Sequence, residues 1–363
     1  MLPTDKAWHV GGGDPSVDPG GRDAPPARVF VGRVPELGAL AAALAAARAG
    51  DPQVVMVQGE AGIGKSSLIS EFLGGQRDLS AITASGEAAE TVLPYGVIQQ
   101  LAAEAAAASP GVLAGLELLL RGPGPAADPL AVGMELRALI SSMQGKQAAV
   151  MVVEDVQWAD LPSARALLFA CRRLDADRVL VILTGRPEAT SQLGEGWARF
   201  VSGDRRSSVL VLRGLEAGEL GMLGRRLGRA ALSGRTVGRL ADHTGGNPLL
   251  ARALLDELTD DELRAAGGSF RAPRSLAGLI LPRLAALPRP ARDLVVAASV
   301  FGERAVLAET AAVAGTAEPA CSATCRPGRR WCPPPGPMRL VSVAWPGCVP
   351  ATCRVRSRIS RWR

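Results

Sequence analysis

Two kinds of apolar pattern take turns along the first part of this chain. Five short runs rich in Val, Ile or Leu read as strands: Gln53–Gln58, Ser80–Ser85, Ala149–Val153, Arg178–Thr184 and Ser208–Arg213. Continuous apolar runs of this length suit strands buried on both faces. Stretches at helical spacing separate or precede them: Pro35–Ala49, Ser67–Leu73, Tyr95–Ala107, Pro129–Met143 and Ser163–Leu174. The first of these stops at Gly50-Asp51-Pro52, a breaker cluster. Strands alternating with helices predict a parallel sheet covered on both faces.

From Leu215 to Leu258 the pattern is helical only. Leu215, Leu220, Leu223 and Leu227 form one stripe, Val237, Leu240 and Ala241 begin another, and Pro248–Leu258 is a third. The expectation is a small helical bundle packed after the sheet. Leu276–Ala314 is helical again, with Leu279, Leu281, Leu284, Leu287, Leu294 and Val295 expected in its core. Residues 1–27 carry Gly, Pro and charge with no apolar core segment, so they read as a disordered leader rather than a signal peptide.

Composition changes the picture at the far end. The formal charge is +6, yet nine arginines follow Glu318, the last acidic residue. Without them 32 basic residues face 35 acidic ones, so the body is slightly acidic and has no general footprint for nucleic acid. Residues 321–363 also hold five of the six cysteines, and no helical or strand period survives there. Three readings stand: a zinc module on Cys321, Cys325, Cys332, Cys348 and Cys353, a disordered basic tail, or a coding sequence read out of frame, which is preferred. The cysteine spacings match no common zinc pairing. With Cys171 alone in the body and no apolar run of membrane-spanning length, a cytosolic protein without structural disulfides is expected.

The chemistry concentrates at Gly59-Glu60-Ala61-Gly62-Ile63-Gly64-Lys65-Ser66, which fits G-x-x-x-x-G-K-[ST] and lies between a strand and a helix. Backbone N–H groups of such a turn, with the positive end of the helix dipole, converge on a polyphosphate. Lys65 is one of only three lysines, in a chain whose other cations are arginine, at the position where a compact ammonium suits β- and γ-phosphates. A second motif, A-V-M-V-V-E-D-V-Q-W-A-D over Ala149–Asp160, ends a strand in two acids. One of Glu154 and Asp155 would hold Mg²⁺ together with the Ser66 hydroxyl, and the other would polarise the attacking water. Third, Arg178–Arg186 is a strand followed by an arginine. If that strand lies between the phosphate-loop strand and the acidic strand, Thr184 and Arg186 face the γ-phosphate. Fourth, Gly245-Gly246-Asn247-Pro248 opens a helix in the bundle, with Pro248 suited to its first turn.

Taken with Phe30-Val31-Gly32-Arg33, Glu36-Leu37 and Leu93-Pro94-Tyr95, these motifs resemble the ATPase module of the STAND class of AAA-related NTPases. The likeness is to the large ATP-binding LuxR-type regulators, whose module is similar to an origin-recognition-type AAA domain, and it runs from about Phe30 to Gly315. The resemblance implies an α/β P-loop NTPase with a five-stranded parallel sheet (28–213), an all-helical lid (214–274) and the start of a winged-helix-like segment (275–320). It implies ATP and Mg²⁺ as cofactors. It places Val31, Gly32 and Arg33 near the adenine, Gly59 to Ser67 around the phosphates, and Glu154 and Asp155 on Mg²⁺ and water. Arg186 would sense the γ-phosphate, and Pro248 would touch the base. Glu154 stands where many relatives carry Asp. The family's helical-repeat sensor and helix-turn-helix are not visible in the sequence.

The function expected is therefore a slow, Mg²⁺-dependent signalling ATPase of a LuxR-type regulator, with an unidentified inducer and self-oligomerisation. The alternatives are a module that holds ATP without turnover, an inactive truncated remnant, and a DNA-binding factor in its own right. The acidic body and the missing helix-turn-helix argue against the last.

Overall fold

The computed structural model describes residues 29–315 except 78, 145–146, 230–231, 265–269, 271–272 and 302–306. The leader and the Cys/Arg/Pro-rich tail expected from the sequence lie outside the described residues. In chain order the elements are α1 (Val34–Arg48), β1 (Gln53–Gln58), α2 (Lys65–Gly74), β2 (Leu79–Ser85), α3 (Gly96–Ala108), α4 (Glu117–Arg121) and α5 (Pro129–Met143). There follow β3 (Ala148–Glu154), α6 (Leu161–Arg172), β4 (Val179–Gly185), α7 (Ala189–Gln192), α8 (Glu195–Gly203) and β5 (Ser207–Val211). After the sheet come α9 (Ala217–Arg226), α10 (Gly234–Thr244), α11 (Pro248–Glu257), α12 (Asp260–Arg264), α13 (Arg274–Ala285), α14 (Arg289–Phe301) and α15 (Leu307–Val313).

The five strands form one parallel sheet in the order β2-β3-β4-β1-β5. Side chains alternate across it with the strand period of two. Val54 and Met56 of β1, Met151 and Val153 of β3, and Val181 and Leu183 of β4 face one core, with Ile98, Leu101, Leu136, Leu167, Trp197 and Phe200 from the helices above. Val55, Val57, Val150, Val152, Leu180 and Ile182 face the other, under Leu40 and Leu44 of α1 and Leu68, Ile69 and Phe72 of α2. Both faces are thus buried, which explains why β3 and β4 read as unbroken apolar runs.

Helix α8 was not foreseen from the sequence. Its nine residues contain two glycines and two charges, yet Trp197 and Phe200 point into the first core, with their rings edge to face at 5.9 Å. The Trp197 indole N–H donates to Ala164 O at 2.9 Å, so its one polar group is satisfied in the core. Burial pushes the Cys171 thiol up to about 12, so it is a core residue and not a nucleophile.

The bundle after the sheet has its own core of Leu215, Leu220, Leu223, Val237, Leu240, Leu254, Leu255 and Leu258, and Val29 and Val31 pack against it. The stripes read from the sequence meet there. Of the expected core of the last helical stretch, the Leu279 side chain lies outside the description; among the described residues Leu281 is 59% exposed, and Leu284, Leu287, Leu294 and Val295 are only partly buried. An apolar stripe buries itself only against a partner, and none of these residues joins the three cores among the described residues. No described helix is long and apolar enough to cross a membrane.

Candidate functional site

The strand order decides the site. Strand β4 lies between β1 and β3, with Gln58 opposite Gly185 and Val153 opposite Leu183. The carboxyl ends of three strands are therefore level, and the loops leaving them open at one edge, where ligands bind in open parallel sheets. The phosphate loop leaves β1, the two acids end β3, and Arg186 follows β4.

The loop from Gly59 runs straight into α2. Gly64 is the N-cap, at φ +100°, and no side chain caps this terminus. By contrast, Asp128, Asp160, Ser233 and Asn247 cap α5, α6, α10 and α11 with their own side chains. The first N–H groups of α2 therefore have no acceptor on its N-cap side chain, as is also true of α1 and α3, and a glycine turn leading into such a terminus can take an anion. Lys65 is 9% exposed and lies over the loop, with Nζ donating to Gly59 O at 2.9 Å and Glu60 O at 3.0 Å. Burial pushes its ammonium below the ordinary lysine value against the pull of Asp155; Arg186 adds to the lowering, while Glu154 and Glu188 oppose it. These charges are thus gathered around one ammonium.

Ser66, on the first turn of α2, donates its hydroxyl to Glu154 Oε2, and 88 positions separate the two in sequence. Asp155 sits next to it in the left-handed region, at φ 48°, ψ 48°. Its N–H donates to Thr184 Oγ1 at 3.1 Å, and its Oδ1 accepts from Gln157 Nε2 at 2.9 Å. The last acid of the motif, Asp160, is structural. It is 3% exposed, caps α6 through the Ser163 N–H at 2.8 Å, and accepts the Tyr95 N–H at 2.8 Å.

The stretch from Val31 to Arg33 is held from two sides. Val31 packs on the bundle core. Gly32 and Arg33 both take positive φ. Arg33 is 5% exposed; its Nη2 donates to Ile63 O of the phosphate loop at 3.0 Å, and its Nη1 pairs with Glu36 at 3.0 Å. Its backbone N–H donates to Glu219 Oε1 of the bundle at 3.1 Å. The bundle also reaches the loop directly. Asn247 Nδ2 donates to Ala61 O at 2.9 Å, Leu249 N to Gly62 O at 3.3 Å, and Pro248 lies 3.7 Å from where a Gly64 Cβ would be. His243 stacks edge to face on Phe270 at 5.4 Å, a packing role.

Glu60, Ala61 and Ile63 thus lie in the loop, Ser66 and Ser67 on the first turn behind it, Glu154, Asp155 and Arg186 around it, and Arg33 and Pro248 against it. Asn247, from the Gly245–Pro248 motif, and Gln157, from the acidic motif, join them without having been given roles of their own, and Glu219 was not singled out from the sequence. Glu219 forms a capping box with Glu216, but Glu216 stands where that signature has Ser, Thr, Asp or Asn, so neither the box nor the contact with Arg33 shows in the sequence.

Residues 29–182 match the family model of the AAA ATPase domain. Arg186 and Pro248 lie beyond that segment. No curated protein matches the chain. Among solved structures, a Walker-type ATPase of Pyrococcus abyssi is 17% identical, with a TM-score of 0.47 over 76% of this chain and 81% of that one. A STAND protein with a tetratricopeptide-repeat sensor from Pyrococcus horikoshii is 20% identical, with a TM-score of 0.44 over 76% of this chain and 35% of that one. Cdc6p of Pyrobaculum aerophilum is 15% identical, with a TM-score of 0.45 over 75% of this chain and 76% of that one. The Gly59–Ser66 turn, the start of α2 and the two acids at the end of β3 all fall within the residues that match this family model, and the end of β4 lies just beyond them.

Proposed function

We propose that this chain binds ATP with Mg²⁺ and hydrolyses it slowly, as the switch module of a LuxR-type, STAND-class regulator. The observation that carries the reading is the Ser66–Glu154 contact beside Lys65. It sets a helix-start hydroxyl and a strand-end carboxylate next to the ammonium that would meet the phosphates. Ser66, Glu154 and Asp155 offer only oxygen donors, the set that suits a hard cation. Bound there, Mg²⁺ would neutralise charge on the phosphate oxygens.

The chain's own residues do the rest. The loop N–H groups and the start of α2 take the phosphates. Lys65 leaves the carbonyls of Gly59 and Glu60 for a phosphate oxygen. Of Glu154 and Asp155, one holds the cation and the other orients water, and Arg186 meets the γ-phosphate. Val31 to Arg33 and Pro248 frame the base. The bundle α9–α12 serves as a lid, because Asn247 and Leu249 already grip the loop whose shape the nucleotide sets. ATP and ADP select lid positions only through different contacts in the two states.

The test is ATP binding and phosphate release by the full chain, with and without Mg²⁺, beside Lys65→Ala. Mg²⁺-dependent release that the variant lacks supports a working ATPase. Binding without release leaves a nucleotide-holding module, and affinity unchanged by Lys65→Ala refutes the site.

A further inference from the structure

Gln157 lies two residues past Asp155, on the single 3-10 turn Val156–Trp158, and its carboxamide is used at both ends. Nε2 donates to Asp155 Oδ1 at 2.9 Å, and Oε1 accepts the Arg186 backbone N–H at 3.3 Å. A second bridge runs alongside it, from the Asp155 N–H to Thr184 Oγ1 at 3.1 Å. The backbone ladder between β3 and β4 ends with Val153 opposite Leu183. Beyond that point these two side chains carry the connection between the strand ends.

The chemistry needs an amide of this length. One end must donate to a carboxylate while the other accepts an N–H, which neither Glu nor Leu can do, and Asn is one methylene shorter. The packing makes room for it. A Cβ on Gly185 would stand 3.2 Å from Gln157 Oε1 and 2.6 Å from Ala189 Cβ.

We propose that Gln157 is a positioning residue that ties the direction of the Asp155 carboxylate to the main chain at Arg186, so that a γ-phosphate engaged at the end of β4 fixes where the acid points. This rests on the nucleotide reading above. Gln157 touches neither phosphate nor water in this role; it acts through Asp155 and Arg186.

The experiment uses the full chain with ADP and with a non-hydrolysable ATP analogue, both with Mg²⁺. Affinities are compared for the unaltered protein, Gln157→Leu, Gln157→Glu, Arg186→Ala and the Gln157→Leu/Arg186→Ala double variant. Gln157→Leu keeps its ADP affinity and loses about ten-fold in preference for the triphosphate, the scale of one hydrogen bond to a charged group. Arg186→Ala loses preference too, and the double variant falls no further than the larger single change, because the two act as one unit. Gln157→Glu, the same shape without the donor, follows Gln157→Leu and serves if the leucine variant does not fold. Without any nucleotide, the Arg186 amide exchanges its hydrogen faster in Gln157→Leu than in the unaltered protein.

Equal losses for both nucleotides, an additive double variant or an unchanged Arg186 exchange rate would each overturn the inference while leaving the nucleotide reading intact. An unaltered protein that binds neither nucleotide overturns the reading itself, and the inference with it.

Discussion

Gly62→Ala tests the contact between the phosphate loop and the bundle. Gly62 sits at φ +76°, where a side chain costs about 1–2 kcal/mol in the backbone alone. A Cβ built there meets Leu249 Cβ and Cδ2 at 2.8 Å and Asn247 Oδ1 at 3.2 Å. Leu249 is 46% exposed, so its Cδ2 can swing into solvent. Its Cβ cannot, because it is fixed to the first turn of α11. That turn must therefore retreat, and Asn247 Nδ2→Ala61 O and Leu249 N→Gly62 O stretch with it. Each is worth about 0.5–1.5 kcal/mol, which brings the whole effect to about 2–5 kcal/mol. Gly64→Ala is the matched control. It also has positive φ, at +100°, but its nearest neighbour is Pro248 Cγ at 3.7 Å, an ordinary contact. It pays the backbone cost and leaves α11 in place. Urea unfolding measures both variants, and hydrogen exchange along α11 reads the retreat directly. Adding Leu249→Gly to Gly62→Ala removes the opposing Cβ and restores the exchange pattern. If Gly62→Ala costs no more than Gly64→Ala, or α11 exchanges as before, the loop and bundle do not meet as described.

Three further outcomes are expected. Thr184→Val keeps the shape of a side chain that is 1% exposed but leaves the Asp155 N–H without its acceptor, so urea unfolding should show a loss of about 1–3 kcal/mol. The hydrogen bonds of Arg206 hold the Asp204 carboxyl at about 2, below its ordinary 3.8; the stability this gives is present above 3.8 and lost as pH falls toward 2, so Asp204→Asn should flatten that acid limb in thermal melts. The Lys65 ammonium is pushed below 10.5 mainly by burial, so the unfolded chain binds the more protons and nucleotide-free stability gains a term that rises with pH toward 10.5. Lys65→Met should remove that rise from the alkaline melts, and an unchanged slope would refute the assignment.

The inner strands β1, β3 and β4 were legible because they are buried on both faces and so spell themselves as apolar runs, while the edge strands β2 and β5 are partly exposed and were read from their Val, Ile and Leu alone. The phosphate loop and the two acids were legible because a few residue types at fixed spacing carry their geometry. The place of β4 between β1 and β3 entered only as a condition on the reading of Thr184 and Arg186, and the strand order meets that condition. What the chain hid has one physical character. Arg33 with Glu219 and Ala61 with Asn247 are each 186 positions apart, and each rests on a single hydrogen bond that leaves no periodic trace. Helix α8 hid for a different reason: its buried face is only Trp197, Phe200 and Val201, a single turn's worth of apolar spacing in nine residues that also hold two glycines and two charges. Leu281 erred the other way, since a stripe shows which face is apolar and not whether anything covers it.

Strand β1 has a consequence for synthesis. Its two neighbours are β4 and β5, the last strands to be made. When β1 leaves the ribosome, both its edges are bare, and they stay so until about 120 more residues have followed. Strands β2 and β3 can pair with each other meanwhile, but the strand that leads into the phosphate loop cannot. The loop's outer supports come later still, from Glu219 and Asn247. A ribosome that stalls before β4 thus releases a chain with an apolar Val-Val-Met-Val segment open on both sides, a template for pairing with other chains. Strand β1 is the first strand of the sheet to be translated and among the last to be sheltered.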